Sequence, residues 1–123
     1  PFATALACQR IEIPPFHYMI ARFGGSTIRC ARYATFGTQA LSDHVAAAIA
    51  GRSACLMANH GMLVFGRDVA HACAAAIEFE ALCEQYWRSL QLGPPVLLSE
   101  PEMQEVIERF KWYGQARATD EAA

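Results

Sequence analysis

Lysine is almost missing from this sequence. Of its ten cationic residues, nine are arginine and one, Lys111, is lysine. Chemistry that runs through a lysine iminium needs an amine in a desolvated pocket, and only one residue here could supply it. Charge as a whole is sparse, 18% of 123 residues, and almost balanced at a net −2. With no basic stripe to meet a phosphate backbone, nucleic acid is not an expected partner. Glu, Asp, His or Arg interrupts every apolar run well before the roughly 18 residues of a membrane span, so no membrane contact is expected either. No basic segment followed by an apolar one opens the sequence, and a secretion leader is not expected. CxxC pairs are also absent. The five cysteines, Cys8, Cys30, Cys55, Cys73 and Cys83, are odd in number and irregular in spacing. They read as reduced thiols, with Cys55, Cys73 and Cys83 expected to be buried in their apolar or alanine-rich surroundings.

What is present is apolar. Hydrophobic residues make up 54% of the chain, enough to bury a core and to exclude general disorder. The length suits one domain on the usual scale of roughly 100–200 residues. The sequence opens at Pro1 inside an apolar helical segment (Phe2, Ala3, Ala5, Leu6, Ala7), so a preceding segment is expected.

Residues 1–9 read as the tail of a helix, ended by Pro14-Pro15. Residues 16–36 carry no clean period; Tyr18-Met19-Ile20 and Thr27-Ile28 suit strands or loops, and Gly24-Gly25 mark a turn or a close backbone approach. A helix is expected over Thr38–Ala50, with Leu41, Val45, Ala48 and Ile49 inward, Thr38 or Ser42 as cap and Gly51 just past its end. Ala54–Ala58 and Met62–Phe65 read as short strands joined at Asn59-His60-Gly61, either a hairpin or one strand with a bulge. Asp68 caps the longest helix, about 69–91, with Val69, Cys73, Ala76 and Ile77 on its inner stripe, then Leu82, Tyr86 and Leu90. Ser99-Glu100-Pro101-Glu102 matches a capping box that opens a helix over 100–113, with Met103, Val106, Ile107 and Phe110 inward. Residues 115–123 are small and polar and are expected to be a disordered tail. The coarse class is mixed α/β.

Among candidate chemical groups His60 leads. It leaves an apolar strand beside a glycine, where an imidazole is accessible; it suits a metal or catalytic role, or a satisfied structural histidine. His17, His44 and His71 are weaker, and no two histidines have the short spacing of a local metal site. Tyr18 and Tyr113 could donate protons or be ordinary half-buried rings. Gly24-Gly25 fits neither a dinucleotide fingerprint nor a P-loop; no serine sits in a nucleophile elbow, and no carboxylate pair is placed for glycoside chemistry.

The blocks Pro14–Ile20, Gly24-Gly25, Cys30–Thr38 and Leu41–Val45, followed by Asn59-His60-Gly61, resemble the class II aldolase/adducin family. Glu78-x-Glu80 and Phe110-Lys111-Trp112-Tyr113-Gly114 also fit, so the resemblance covers residues 1–114. It implies a three-layer αβα fold with a largely antiparallel central sheet, here truncated at the N-terminus, and a C-terminal portion of the family domain. It implies His60 as a zinc ligand, Tyr18 and Tyr113 as catalytic tyrosines reaching a neighbouring subunit's site, and Phe36 and Phe110 at the aldehyde end of the substrate. The remaining metal ligands, the catalytic carboxylate and the phosphate loops are expected upstream of Pro1. The implied activity is reversible cleavage of a small sugar phosphate into dihydroxyacetone phosphate and an aldehyde, in a cytoplasmic homotetramer with sites between subunits. In such chemistry a divalent metal stabilises the enolate that a lysine iminium would otherwise hold, in keeping with the scarcity of lysine. Residues 1–123 alone are expected to be inactive, because one histidine cannot make a tight zinc site. Within the same family the alternatives are a sugar-phosphate epimerase or dehydratase. A non-catalytic adducin-like interaction module is the alternative of another class.

Overall fold

A computed structural model of the chain describes residues 1–112. The elements are helix α1 (Phe2–Cys8), a 3₁₀ helix (Tyr18–Phe23), strand β1 (Cys30–Ala31), α2 (Gln39–Ile49), β2 (Ala54–Met57), β3 (Gly61–Val64), α3 (Val69–Gln91) and α4 (Glu100–Trp112). Tyr113 and the expected tail at 115–123 lie outside the described residues.

The three strands form one sheet in the order β1-β2-β3. β2 and β3 pair antiparallel, with Met57 opposite Gly61 and Ala54 opposite Val64. β1 pairs parallel to β2 through Cys30 and Ala31. Ile13 and Ile28 add an isolated antiparallel bridge. Alternation along β2 sends its side chains to two different layers. Ala54 and Leu56 face the main core with α1, α3, the 3₁₀ helix and Met103 of α4, whereas Cys55 faces Ala48, Val45 and Ile49 of α2. The order is therefore α2, sheet, then α1 with α3: the expected three layers.

Local chemistry sets most boundaries. Thr38 Oγ1 accepts the Leu41 N–H at 3.3 Å to start α2, and Asp68 Oδ1 accepts the His71 N–H at 2.7 Å to start α3. Gly51 follows α2 with φ 69°, the left-handed backbone expected just past a helix end. The Arg29 guanidinium donates to Ala50 O at 2.8 Å, satisfying a carbonyl left free there. At α4 the capping box is complete: Ser99 N–H donates to Glu102 Oε2 at 2.7 Å, and Glu102 N–H donates to Ser99 Oγ at 3.3 Å. Gly24 answers the close approach read from the sequence; a Cβ there would stand 2.6 Å from Gly51 O.

Several expectations need correction. Tyr18-Met19-Ile20 is neither strand nor loop but the start of a 3₁₀ helix, which His17 caps by accepting the Met19 N–H on Nδ1 at 3.1 Å. Three residues per turn puts Ile20 and Phe23 on one buried side, a period that a search for 2 or 3.6 passes over. α1 stops at Cys8, well before Pro14, and Arg10 leaves it with a left-handed φ of 54°. In the first half of α3 the stripe Val69, Cys73, Ile77 faces outward while Ala75 and Phe79 are buried; further along Leu82 and Tyr86 are buried as expected, and Leu90 is exposed. Two apolar stripes compete on this helix, and the one carrying the large rings wins because it buries more area. Phe79 meets Phe23 edge-on at 5.2 Å, and Tyr86 meets Phe16 at 5.0 Å. The same rotation leaves the Cys73 thiol exposed. Cys55 and Cys83 are buried as expected. Burial, helped by Glu80, pushes the Cys83 thiol up to about 12, and burial pushes Cys55 to about 11, so neither is a nucleophile near neutral pH. Phe110, expected inward on α4, remains 38% exposed.

Candidate functional site

The Asn59-His60-Gly61 segment is a hairpin turn. Residues 57–60 close with the His60 N–H donating to Met57 O at 3.0 Å, and Asn59, the third residue, has φ 54°. That turn position needs positive φ, which asparagine tolerates better than most residues. The ladder between β1 and β2 runs on into the turn through Ala58 N–H to Ala31 O at 3.0 Å. The turn is thus held by the sheet while the His60 side chain stays exposed.

Across from it lies the segment that follows β1. Together Tyr33, Ala34, Phe36, Ala58, Asn59 and His60 line a cleft of about 320 Å³. Phe36 is 81% exposed and stands on its rim with no core to fill. The structure therefore brings together two of the sequence-predicted site residues, His60 and Phe36, and adds Tyr33.

The other candidates lie elsewhere. Tyr18 sits on the 3₁₀ helix, 52% exposed, its ring stacked on His17 at 4.8 Å, and it is not part of the His60 cleft. Phe110 lines a separate cleft of about 470 Å³ with Arg22, Phe65, Arg67 and His71. Tyr113 falls outside the described residues. Lys111 is an exposed lysine paired with Glu108 at 2.7 Å, not the desolvated amine a Schiff-base route requires. Among the described residues no group of three or more His, Cys, Asp or Glu side chains is placed to hold a metal. By themselves they do not make a metal centre; His60 is a single accessible donor.

Two neighbours of the site were not singled out by sequence reasoning. Tyr33 lies inside the Cys30–Thr38 block, which was its only signal. Arg10 had none. Its Nε donates to Asn59 Oδ1 at 2.6 Å, and its guanidinium carbon stands 5.3 Å from the centre of the Tyr33 ring.

α1 flanks the turn. Its N-terminal amides are capped from α3: Phe2 N–H and Ala3 N–H donate to the two oxygens of Glu80 at 2.6 and 3.1 Å. No helix among the described residues is long and apolar enough to cross a membrane.

Comparison with known proteins places this geometry. The 5-methylthioribulose-1-phosphate/5-deoxyribulose-1-phosphate aldolase of Rhodospirillum rubrum is 54% identical over 114 residues, 93% of this chain and 52% of that protein. L-fuculose phosphate aldolase of Escherichia coli is 44% identical over 112 residues, 90% of this chain and 52% of that protein. The solved structure of an L-fuculose 1-phosphate aldolase superposes with a TM-score of 0.83 at 41% identity, covering 89% of this chain and 51% of that one. The chain spans about half the length of the curated relatives it matches. Residues 1–87 match the family model described as Class II Aldolase and Adducin N-terminal domain. The layered fold, the histidine-bearing hairpin turn and the aromatic segment facing it have one common explanation: the chain belongs to the class II aldolase and adducin family.

Proposed function

We propose that the whole protein is a metal-dependent class II aldolase that reversibly cleaves a small sugar 1-phosphate into dihydroxyacetone phosphate and an aldehyde. The observation that carries this is the His60 imidazole, exposed on a sheet-anchored turn and facing Phe36 across a cleft. His60 gives one imidazole to the metal, zinc, and donors outside these 123 residues complete the set. Residues 1–114 form the C-terminal part of the catalytic domain. Phe36 and Phe110 contact the aldehyde portion of the substrate, and Tyr18 and Tyr113 act on its oxygen. Tyr18 is exposed and away from the His60 cleft, in keeping with a homotetramer in which a neighbouring subunit brings it there. The enzyme so proposed is cytoplasmic. The 54% identity to a methylthioribulose-phosphate aldolase, above the 44% to a fuculose-phosphate aldolase, is the reason to propose a 5-modified ribulose 1-phosphate beside fuculose 1-phosphate as a substrate.

The full-length protein tests this directly. It is expected to carry a divalent metal, to lose activity on chelation, and to release dihydroxyacetone phosphate from one of the two sugar phosphates. Full activity after chelation would contradict metal dependence. An epimer as the product would move the protein to the epimerase branch of the family, and no turnover of any sugar phosphate would favour an interaction module.

A further inference from the structure

Among the described residues only two non-glycine residues have a left-handed backbone, Arg10 and Asn59, both with φ 54°. They are far apart in the sequence and adjacent in space. Both hang from one carbonyl: Arg10 N–H and Asn59 N–H each donate to Ala7 O at 3.0 Å. Their side chains are joined as well, Arg10 Nε to Asn59 Oδ1 at 2.6 Å. A left-handed backbone is unfavourable for a residue with a Cβ and persists where the surroundings over-determine it. Here the end of α1, a shared acceptor and a side-chain bond do so together.

The same guanidinium reaches a second residue that lines the cleft. It stands over Tyr33 at 5.3 Å, within the range of a cation–π contact. Tyr33 and Asn59 both line the His60 cleft. One side chain just past the end of α1 therefore touches the turn that carries His60 and a ring that lines the same cleft. Arg10 itself lines an adjoining cleft of about 330 Å³ with Cys30, Arg32 and Tyr33.

We propose that Arg10 is a positioning residue for the active site. It locks the Asn59-His60 turn to the end of α1 and sets the spacing between His60 and Tyr33. The inference rests on the aldolase reading above, since that reading makes the setting of His60 matter. Arg10 does not touch substrate. It acts through Asn59 and Tyr33, as residues behind a ligand commonly do, where their loss lowers activity by about 10–100-fold.

The test uses the full-length protein with three substitutions. Arg10→Met keeps the stem and removes the donor. Asn59→Gly keeps the left-handed backbone and removes the acceptor. Arg10→Lys restores a cation with a donor. The readouts are backbone amide exchange at Asn59 and His60, kcat and KM for sugar-phosphate cleavage, and Tm. Arg10→Met and Asn59→Gly are each expected to raise exchange at both amides and to lower kcat by about tenfold, with KM within about twofold. The double variant should be no worse than the worse single one, because both remove the same bond. Arg10→Lys should recover part of kcat. Unchanged exchange in Arg10→Met, or additive losses in the double variant, would overturn the proposal. So would a kcat loss that follows Tm alone. If the wild-type protein cleaves no sugar phosphate, the aldolase reading fails, while amide exchange still decides whether Arg10 locks the turn.

Discussion

Phe79 and Phe36 are the same side chain in opposite settings. Phe79, on the inner stripe of α3, is 0% exposed and meets Phe23 edge-on; Phe36, on the rim of the His60 cleft, is 81% exposed. The first belongs to a region built by burial, where α1, α3 and the sheet close over apolar rings. The second belongs to a region held by hydrogen bonds and a tight turn, with its chemistry left open to solvent. The difference separates what keeps the fold together from what the fold presents.

That separation can be broken by substitution. The largest stability effect is expected from Phe79→Ala, at about 3–5 kcal/mol by loss of transfer energy and the cavity left behind. Urea denaturation measures it, and a loss under about 1 kcal/mol would mean that the α3 face is not the main core. Thr38→Ala removes the cap of α2 on the far layer and should cost about 1 kcal/mol, read in the same experiment. Phe36→Ala should change stability by no more than about 0.5 kcal/mol, as surface substitutions do, while weakening turnover of sugar phosphate by the full-length protein. A large stability loss there would erase the contrast with Phe79. The smallest effect concerns acid. The hydrogen bonds from the Ser99 N–H and hydroxyl hold the Glu102 carboxyl below its ordinary value. Because the folded value is the lower one, the capping box contributes fully above the ordinary carboxylate range and fades as pH falls through the folded value. Carboxyl chemical shifts across an acid titration should show Glu102 titrating below an ordinary glutamate, and Ser99→Ala, which removes the hydroxyl but keeps the backbone N–H, should lessen the shift without abolishing it.

How much was legible in the sequence follows the same division. Thr38, Asp68 and the Ser99–Glu102 pair were readable because a cap is a local event spanning three residues. The two strands around Asn59-His60-Gly61 were readable because their apolar runs and turn residues are contiguous. The inward side of the first half of α3 was not, although Leu82 and Tyr86 further along were read inward and are buried. Val69-Cys73-Ile77 and Ala75-Phe79-Leu82 are both plausible stripes, and the choice between them depends on Phe23 and Phe16, which come from distant segments. The 3₁₀ helix was hidden for a related reason, since its cap and its partners show no repeating pattern. At the site, His60 and Phe36 stood out by motif, but their shared cleft needed the fold. Arg10 was invisible because its partners, Asn59 and Tyr33, are brought to it only by folding, the first of them 49 positions along the chain.

The most direct measurement pairs two properties of one variant. In full-length His60→Ala, dihydroxyacetone phosphate release and Tm are read on the same preparation. The expected result is a loss of release beyond about a hundredfold, more than residues behind a ligand cause, with Tm nearly unchanged because His60 is exposed on a turn that backbone hydrogen bonds hold. Retained release at wild-type rate would contradict the role of His60, and a collapse of Tm would show that this turn belongs to the part of the molecule that holds the fold together.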